Sequence, residues 1–266
     1  MNQRTLFILL FLFLSVWFAR AARAAELQHW NIAGVEREAL IVAPAREINS
    51  KLPLLFVFHG HGGSMRSAER GQAFHESWPE AIVVYPQGLP TPGFLGDMLG
   101  MLPGWQHGPG ESGDRDLKFV DAIIETLRAK YAVDDSRIYA TGFSNGGFFC
   151  YLLWAERPQI FAAVAPGAAS LVSSIHLQTC KPVFIYGGRN DRLVRFTSQQ
   201  AAIDAAREVN GCENVGVACG DQCTLFNSAR QAPVMTLIHD GGHLFVPAVR
   251  SLIVEFFKSH PQIVNA

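Results

Sequence analysis

Short continuous apolar runs recur along the chain between segments of helical spacing. Such runs, bounded by glycine, proline and polar residues, are typical of strands buried on both faces of a parallel sheet. Ahead of them, two strand-like segments around Ala33-Gly34 predict an opening hairpin. The predicted strands are Leu27–Asn31, Val35–Ala43, Leu54–Phe58, Ala81–Tyr85, Ile138–Phe143, Phe161–Ala165, Val183–Tyr186 and Val234–Ile238.

Apolar residues spaced three and four apart predict helices between these strands. One helix begins near Asp116, a second runs from about Ser198 to Asn210 and stops at Gly211, and a third includes Val249–Phe257. Strands that alternate with helices predict an α/β fold with a largely parallel, doubly wound sheet. We find no internal repeat or interdomain linker, so we expect a single domain.

The segment from Pro86 to Gly113 has neither the apolar runs of a buried strand nor the apolar spacing of a helix. It contains eight glycines and five prolines, yet it also carries many apolar side chains. A long connection of this composition is more often a binding wall or a lid than a linker, and simple packing over the core is the alternative. Because the segment leaves the same sheet edge as the candidate active site, we expect Trp105 to contact substrate.

The first residues have the pattern of an export signal. Arg4 precedes an almost unbroken apolar run, Leu6–Ala19, and Ala22-Arg23-Ala24 has the small-x-small form of a cleavage site. The run is shorter than the roughly 20 residues that span a bilayer, which disfavours a membrane anchor. We therefore predict a signal peptide over residues 1–24, a catalytic domain over residues 25–266, and secretion to the extracellular space or the periplasm.

The charge balance limits the possible partners. The chain has 22 basic and 23 acidic residues, a formal net charge of −1, and removal of the leader takes three arginines and no acid, which leaves −4. A mildly acidic chain without a basic patch disfavours nucleic acid and anionic membrane surfaces as partners. We expect a small-molecule or polymeric substrate and no stable membrane insertion after signal cleavage.

The chain has five cysteines, and export would place them where disulfides persist. Cys212, Cys219 and Cys223 lie close together, which favours one short local bridge among them, with a zinc site as the alternative. Cys150 is expected to behave as a small buried apolar residue. An odd count leaves at least one cysteine unpaired within the chain.

The clearest chemical motif is Gly142-Phe143-Ser144-Asn145-Gly146-Gly147. It follows a predicted strand and opens a predicted helix, which is the context of a G-x-S-x-G nucleophile elbow. The glycines permit a tight turn that exposes the serine hydroxyl at a helix N-terminus. Ser144 is therefore the candidate nucleophile.

A serine hydroxyl needs a base that is oriented by a third group. In the fold that carries this elbow, an acid and then a histidine follow the serine in the chain. Asp191 lies just beyond the strand Val183–Tyr186, and His243 lies just beyond the last core strand, so both meet the order and the position. The rejected alternatives are Asp204, Asp221, Asp240 and His239.

The tetrahedral intermediate of such a reaction needs hydrogen-bond donors for its oxyanion. One predicted donor is the backbone N–H of Asn145, which follows the nucleophile. The second is predicted in the loop His59-Gly60-His61-Gly62-Gly63-Ser64, as the backbone N–H of His61. Metal binding by His59 and His61 is disfavoured because no third ligand lies near them in sequence.

These motifs resemble those of an exported esterase family that includes poly(3-hydroxybutyrate) depolymerase-like and feruloyl esterase-like enzymes. The resemblance rests on His59–Ser64, Asp134–Tyr139, Gly142–Gly147, Gly187–Asp191 and Gly241–His243, which span most of the chain.

The resemblance implies an α/β-hydrolase fold and a catalytic-serine esterase without metal or organic cofactor. It assigns the triad to Ser144, Asp191 and His243, and the oxyanion donors to His61 and Asn145. The chain departs from the family at Tyr186-Gly187-Gly188 and at Leu244–Pro247, where a His-Gly and a Trp-Pro are common. The expected substrates are hydroxyalkanoate oligomers or polyesters, or feruloyl and acetyl esters of plant walls. A serine peptidase and a non-catalytic binding protein are the alternatives.

Overall fold

A computed structural model describes residues 24–45, 50–93 and 96–262. The predicted signal peptide lies outside these residues except for its last position, Ala24. The described chain forms helices α1 (Met65–Gln72), α2 (Phe74–Ser77), α3 (Arg115–Lys130), α4 (Asn145–Glu156), α5 (Phe196–Asn210) and α6 (Val249–Ser259). Its strands are β1 (Glu26–Ile32), β2 (Val35–Val42), β3 (Leu52–Phe58), β4 (Ile82–Pro86), β5 (Leu89–Pro90), β6 (Pro103–Gly104), β7 (Val133–Phe143), β8 (Ala163–Gly167), β9 (Val183–Gly188), β10 (Val217–Gly220), β11 (Cys223–Phe226) and β12 (Val234–His239).

One large sheet organises the molecule, in the order β1-β2-β4-β3-β7-β8-β9-β12-β11-β10. The six central strands are β4, β3, β7, β8, β9 and β12, and they all run parallel. Antiparallel strands flank them at both edges. The short strands β5 and β6 pair separately, within the connection that follows β4. The largely parallel sheet confirms the predicted fold class.

Helices cover both faces of the sheet, and alternate side chains of each strand enter different cores. On β3, Leu54, Phe56 and Phe58 pack with α3, α4 and α5, whereas Leu55 and Val57 pack with α1, α2 and α6. All five side chains are fully buried. Burial on both faces explains why the sequence shows continuous apolar runs rather than alternation.

Every predicted strand and helix corresponds to an element of the structure. The largest differences are at Ile138–Phe143, whose strand β7 already begins at Val133, and at Phe161–Ala165, whose strand β8 is shifted to Ala163–Gly167. The hairpin of β10 and β11 was not predicted, because its residues are mostly exposed or half-buried and give no apolar run. Within this hairpin Cys219 and Cys223 form a disulfide, which confirms the prediction of one short local bridge.

The parallel strands place their carboxyl ends at one edge of the sheet, where loops carry functional residues. His59 follows β3, Ser144 follows β7, Asp191 follows β9 and His243 follows β12. The candidate residues therefore come together through the sheet although they are far apart in the chain. Across the described ranges, we find no helix with the length and apolar character needed to cross a membrane.

Candidate active site

Ser144 occupies the sharp turn between β7 and α4. Its backbone has φ 56° and ψ −121°, a conformation that is rare for a residue with a side chain. A Cβ on Gly142 would lie 2.5 Å from the backbone of Gly146, and a Cβ on Gly146 would lie 2.4 Å from the carbonyl oxygen of Phe58. Only glycine fits at either position, so the motif is required by the close approach of three backbone segments.

The candidate base and acid are hydrogen-bonded to each other. Nδ1 of His243 lies 2.7 Å from Oδ2 of Asp191. Because a carboxylate only accepts, Nδ1 carries the proton in this bond, and Nε2 of His243 is left as the basic nitrogen. Ser144 and His243 line the same cavity, but no hydrogen bond joins their side chains in this structure.

The carboxylate of Asp191 is buried and receives four hydrogen bonds. Oδ1 accepts from the backbone N–H groups of Leu193 and Val194, at 2.8 and 2.9 Å. Oδ2 accepts from Nε2 of Gln199 at 3.1 Å, in addition to the bond from His243. Four donors fix the direction of the oxygen that faces the imidazole.

Gln199 is a positioning residue that the sequence analysis missed. It lies in the first turns of α5, eight residues after Asp191, and its side chain also donates to the carbonyl of Val194 at 2.6 Å. The bonds from Leu193 and Val194 form a turn in which an aspartate caps the residues that follow it. An aspartate at a strand end is a known signal for such a turn, but the sequence does not indicate the contribution of Gln199.

A cavity of about 810 Å³ opens at the sheet edge and contains Ser144 and His243 in its wall. Its lining also includes His61 and Asn145. Among the described residues, none accepts a hydrogen bond from the backbone N–H of His61 or of Asn145. Two free N–H groups that line the same cavity as a serine hydroxyl are what an oxyanion requires.

The two histidines of the first loop have different surroundings. His59 is buried, its Nδ1 lies 2.8 Å from the carbonyl oxygen of Gly60, and its Nε2 accepts from the backbone N–H of Gly88 at 2.9 Å. These partners fix the neutral tautomer that carries its proton on Nδ1, and burial lowers the pKa of His59 to about 4. His59 thus ties the loop after β3 to the connection after β4.

His61 is tied to the connection after β4 through its side chain. Its Nε2 lies 3.0 Å from Oδ2 of Asp97. Asp97 also accepts from the backbone N–H groups of Met101 and Leu102, and these bonds hold the pKa of its carboxyl below the usual value. The side chain of His61 therefore anchors a loop, while its backbone N–H has no acceptor in the described part of the chain.

Trp105 does not line the cavity, which corrects the expectation that it contacts substrate. Its side chain is fully buried and stacks on Phe149 with ring centroids 5.5 Å apart. Its Nε1 donates to the carbonyl of His59 at 2.9 Å. The indole fills the core beneath the site because the segment turns inward at this position, after the exposed tip that precedes it.

The side chain of Asn145 holds the backbone of Trp105 from both sides. Oδ1 accepts from the N–H of Trp105 at 2.6 Å, and Nδ2 donates to its carbonyl at 3.0 Å. Nδ2 also lies 3.0 Å from Nε2 of His107, which lines the cavity and whose pKa is lowered by burial. Asn145 thus joins the turn that carries the candidate nucleophile to the Pro86–Gly113 segment, a role that the motif alone does not reveal.

The rest of the Pro86–Gly113 segment divides into a wall and an exposed tip. Gly93 and His107 line the cavity. Met98, Leu99 and Met101 are 74%, 87% and 73% exposed. The segment therefore contributes to the cavity wall, but the large apolar side chains of its described residues do not line it.

Two of the rejected alternatives for the acid and base lie away from the cavity lining. His239 is buried, and its Nδ1 accepts from the backbone N–H of Gly241 at 3.0 Å. Asp240 is exposed and faces Arg189 at 3.4 Å. Neither side chain makes a hydrogen bond or an ion pair with Asp191 or His243.

Comparison with known proteins adds to this geometry. Residues 104–209 match the profile of the prolyl oligopeptidase family. A probable feruloyl esterase C of Aspergillus clavatus is 28% identical over 220 residues, which cover 79% of this chain and 77% of that protein.

Solved structures of esterases share the fold at low sequence identity. The acetyl xylan esterase from Aspergillus awamori has a TM-score of 0.65 at 15% identity, with 88% of this chain and 99% of that chain covered. A ferulic acid esterase has a TM-score of 0.61 at 16% identity, with 87% and 95% covered. The central sheet and the solved structures show the α/β-hydrolase fold. Together with the similarity to feruloyl esterases, they identify the chain as a feruloyl-esterase-like carboxylic-ester hydrolase.

Proposed function

We propose that residues 25–266 form one exported catalytic domain that hydrolyses carboxylic esters of the plant-wall type through an acyl-enzyme. The observation that carries the proposal is the convergence of Ser144, His243 and two free backbone N–H groups on one cavity. The similarity to a probable feruloyl esterase C favours plant-wall esters over hydroxyalkanoates as substrates. The leader pattern and the disulfide Cys219–Cys223 support export.

In the proposed first step, Nε2 of His243 takes the hydroxyl proton of Ser144 while the serine oxygen attacks the ester carbonyl carbon. The N–H groups of His61 and Asn145 bind the oxyanion that forms, and Asp191 stabilises the imidazolium. The tetrahedral intermediate then expels the alcohol, which receives the proton from His243. Ser144 is left as an ester of the acyl group.

In the second step, water attacks the acyl-enzyme and gives its proton to Nε2 of His243. The new tetrahedral intermediate releases the carboxylic acid, and the proton returns to the oxygen of Ser144. No redox step or further reactant is needed. The four bonds to Asp191 keep its carboxylate aligned through both steps.

The proposal is tested by labelling with a fluorophosphonate and by kinetics on methyl ferulate, acetylated xylan and hydroxybutyrate oligomers. We expect mass spectrometry to locate the label on Ser144, and Ser144→Ala to lower kcat by roughly 10⁴-fold. Ser170→Ala is the matched control, because Ser170 lines the same cavity outside the triad. Equal losses in both variants, or a label elsewhere, would contradict the assignment.

A serine peptidase is the second candidate, because the matched family profile is that of prolyl oligopeptidases. That match covers residues 104–209, less than half of the chain, whereas the feruloyl esterase match covers 79%. We expect kcat/KM on methyl ferulate to exceed that on an alanyl-prolyl anilide by several orders of magnitude. The reverse ranking would favour the peptidase.

A further inference from the structure

Arg195 is the one permanently charged residue among the described residues that line the catalytic cavity. The other lining residues are apolar, hydroxyl, amide or imidazole side chains and glycines. The chain as a whole has a formal net charge of −1, so the positive charge at this cavity is local. A cation in a partly enclosed cleft attracts anionic ligands more strongly than one on an open surface.

The guanidinium of Arg195 has no ion pair, hydrogen bond or ring contact within residues 24–45, 50–93 and 96–262. The carboxylates that belong to the site are already engaged. Asp191 accepts four hydrogen bonds, and Asp97 accepts from two backbone N–H groups and contacts His61. No acidic residue lines the cavity in this part of the chain to neutralise Arg195.

The position of Arg195 is also unfavourable for the helix that it precedes. It is the N-cap of α5, it makes no side-chain capping bond, and the first turn of α5 contains no acidic residue. A positive charge at a helix N-terminus opposes the helix dipole. Arg195 therefore does not stabilise α5, and its placement at the cavity needs another explanation.

We propose that Arg195 determines specificity by binding a free carboxylate of the ester substrate. The planar guanidinium matches a carboxylate with two parallel hydrogen bonds, and the hydroxyl of Ser198, which lines the same cavity, supplies a further donor. The preferred substrates are esters that bear a carboxylate in the acyl part or in the alcohol part. This inference rests on the proposed function, because it assigns a substrate class to that same site.

Two pairs of esters, each differing only by methylation of the carboxylate, test the inference and distinguish the two parts of the substrate. The acyl pair is 4-nitrophenyl hydrogen adipate and 4-nitrophenyl methyl adipate. The alcohol pair is 4-acetoxybenzoate and methyl 4-acetoxybenzoate. The readout is the ratio of kcat/KM on the anionic ester to kcat/KM on the neutral one, for the wild type and for variants.

We expect Arg195→Gln to lower this ratio by on the order of tenfold or more in at least one pair. Arg195→Lys keeps the positive charge but lacks the planar group that donates two parallel hydrogen bonds, so it should give an intermediate ratio. The matched control is Arg192→Gln, which removes the same charge from the same loop outside the cavity lining. It should leave both ratios within about twofold of the wild type, because Arg192, although exposed like Arg195, does not line the cavity that would hold the substrate.

The inference is overturned if Arg195→Gln changes neither ratio by more than Arg192→Gln does. That result includes the case in which anionic and neutral esters lose activity equally, as they would if Arg195 only packed against the substrate. Failure of the proposed function is distinguishable, because the wild type would then hydrolyse neither neutral ester and Ser144 would not react with fluorophosphonate. Thermal unfolding of each variant separates loss of recognition from loss of fold.

Discussion

The buried ring of His59 should make the folded protein lose stability in acid. Its Nδ1–H donates to the carbonyl of Gly60, and its Nε2 accepts from the N–H of Gly88. Protonation of Nε2 would break the second bond. It would also place a positive charge on a buried residue, since His59 is only 2% exposed. Burial accordingly lowers the pKa of His59 from 6.5 to about 4.

The magnitude follows from the difference between the two states. Between pH 6.5 and about 4, the unfolded chain binds a proton at His59 that the folded protein does not bind, so the free energy of unfolding falls as the pH falls. At about 1.4 kcal/mol per pH unit, this amounts to about 3 kcal/mol. The contribution is fully present above pH 6.5 and is lost by about pH 4.

Urea unfolding of the wild type and of His59→Gln at pH 7, 6 and 5 measures this contribution. At pH 7 the variant should be less stable by about 1–3 kcal/mol, because a buried hydrogen bond is lost. As the pH is lowered, the free energy of unfolding of the variant should fall less steeply than that of the wild type. The two slopes should differ by up to about 1.4 kcal/mol per pH unit. His29→Gln, at an exposed strand position, is the matched control. Parallel pH dependences for wild type and His59→Gln would refute the reasoning.

Three further predictions concern packing, positioning and the disulfide. Trp105→Ala should destabilise the fold by about 3–5 kcal/mol in urea unfolding, with similar relative losses on acetyl and feruloyl esters in the protein that remains folded. Gln199→Leu removes a donor from the buried carboxylate of the candidate acid and should lower kcat/KM on methyl ferulate by roughly tenfold, whereas loss of stability alone would leave kcat/KM of the folded fraction unchanged. Reduction of Cys219–Cys223 should lower the free energy of unfolding by roughly 2 kcal/mol without changing kcat, since neither residue lines the catalytic cavity.

The sequence predicted the sheet and the order of the candidate residues because both depend on local patterns. Ser144 was identifiable from two glycines, and Asp191 and His243 from their positions after strands. Trp105 was wrongly expected at the cavity. A long loop has no regular spacing of apolar residues, so its sequence does not show which side chains enter the core and which face the cavity.

The contacts that hold the site together were not predictable, because they join residues distant in the chain. Asn145 bonds to a backbone 40 residues away, and His59 bonds to one 29 residues away. Arg195 also has no motif, since its importance depends on which residues share its cavity.

Strand β8 contributes no candidate catalytic residue, yet it acts as a spacer between the two halves of the site. It lies between β7, which leads to the candidate nucleophile, and β9, which leads to the candidate acid. At its end, the carbonyl of Gly167 accepts from the N–H of Ser144, and the N–H of Ala168 donates to the carbonyl of Tyr186. Because β8 is the one strand between them, a shift of β8 would move Ser144 relative to Asp191, so tolerance to mutation in β8 is limited by alignment as well as by packing.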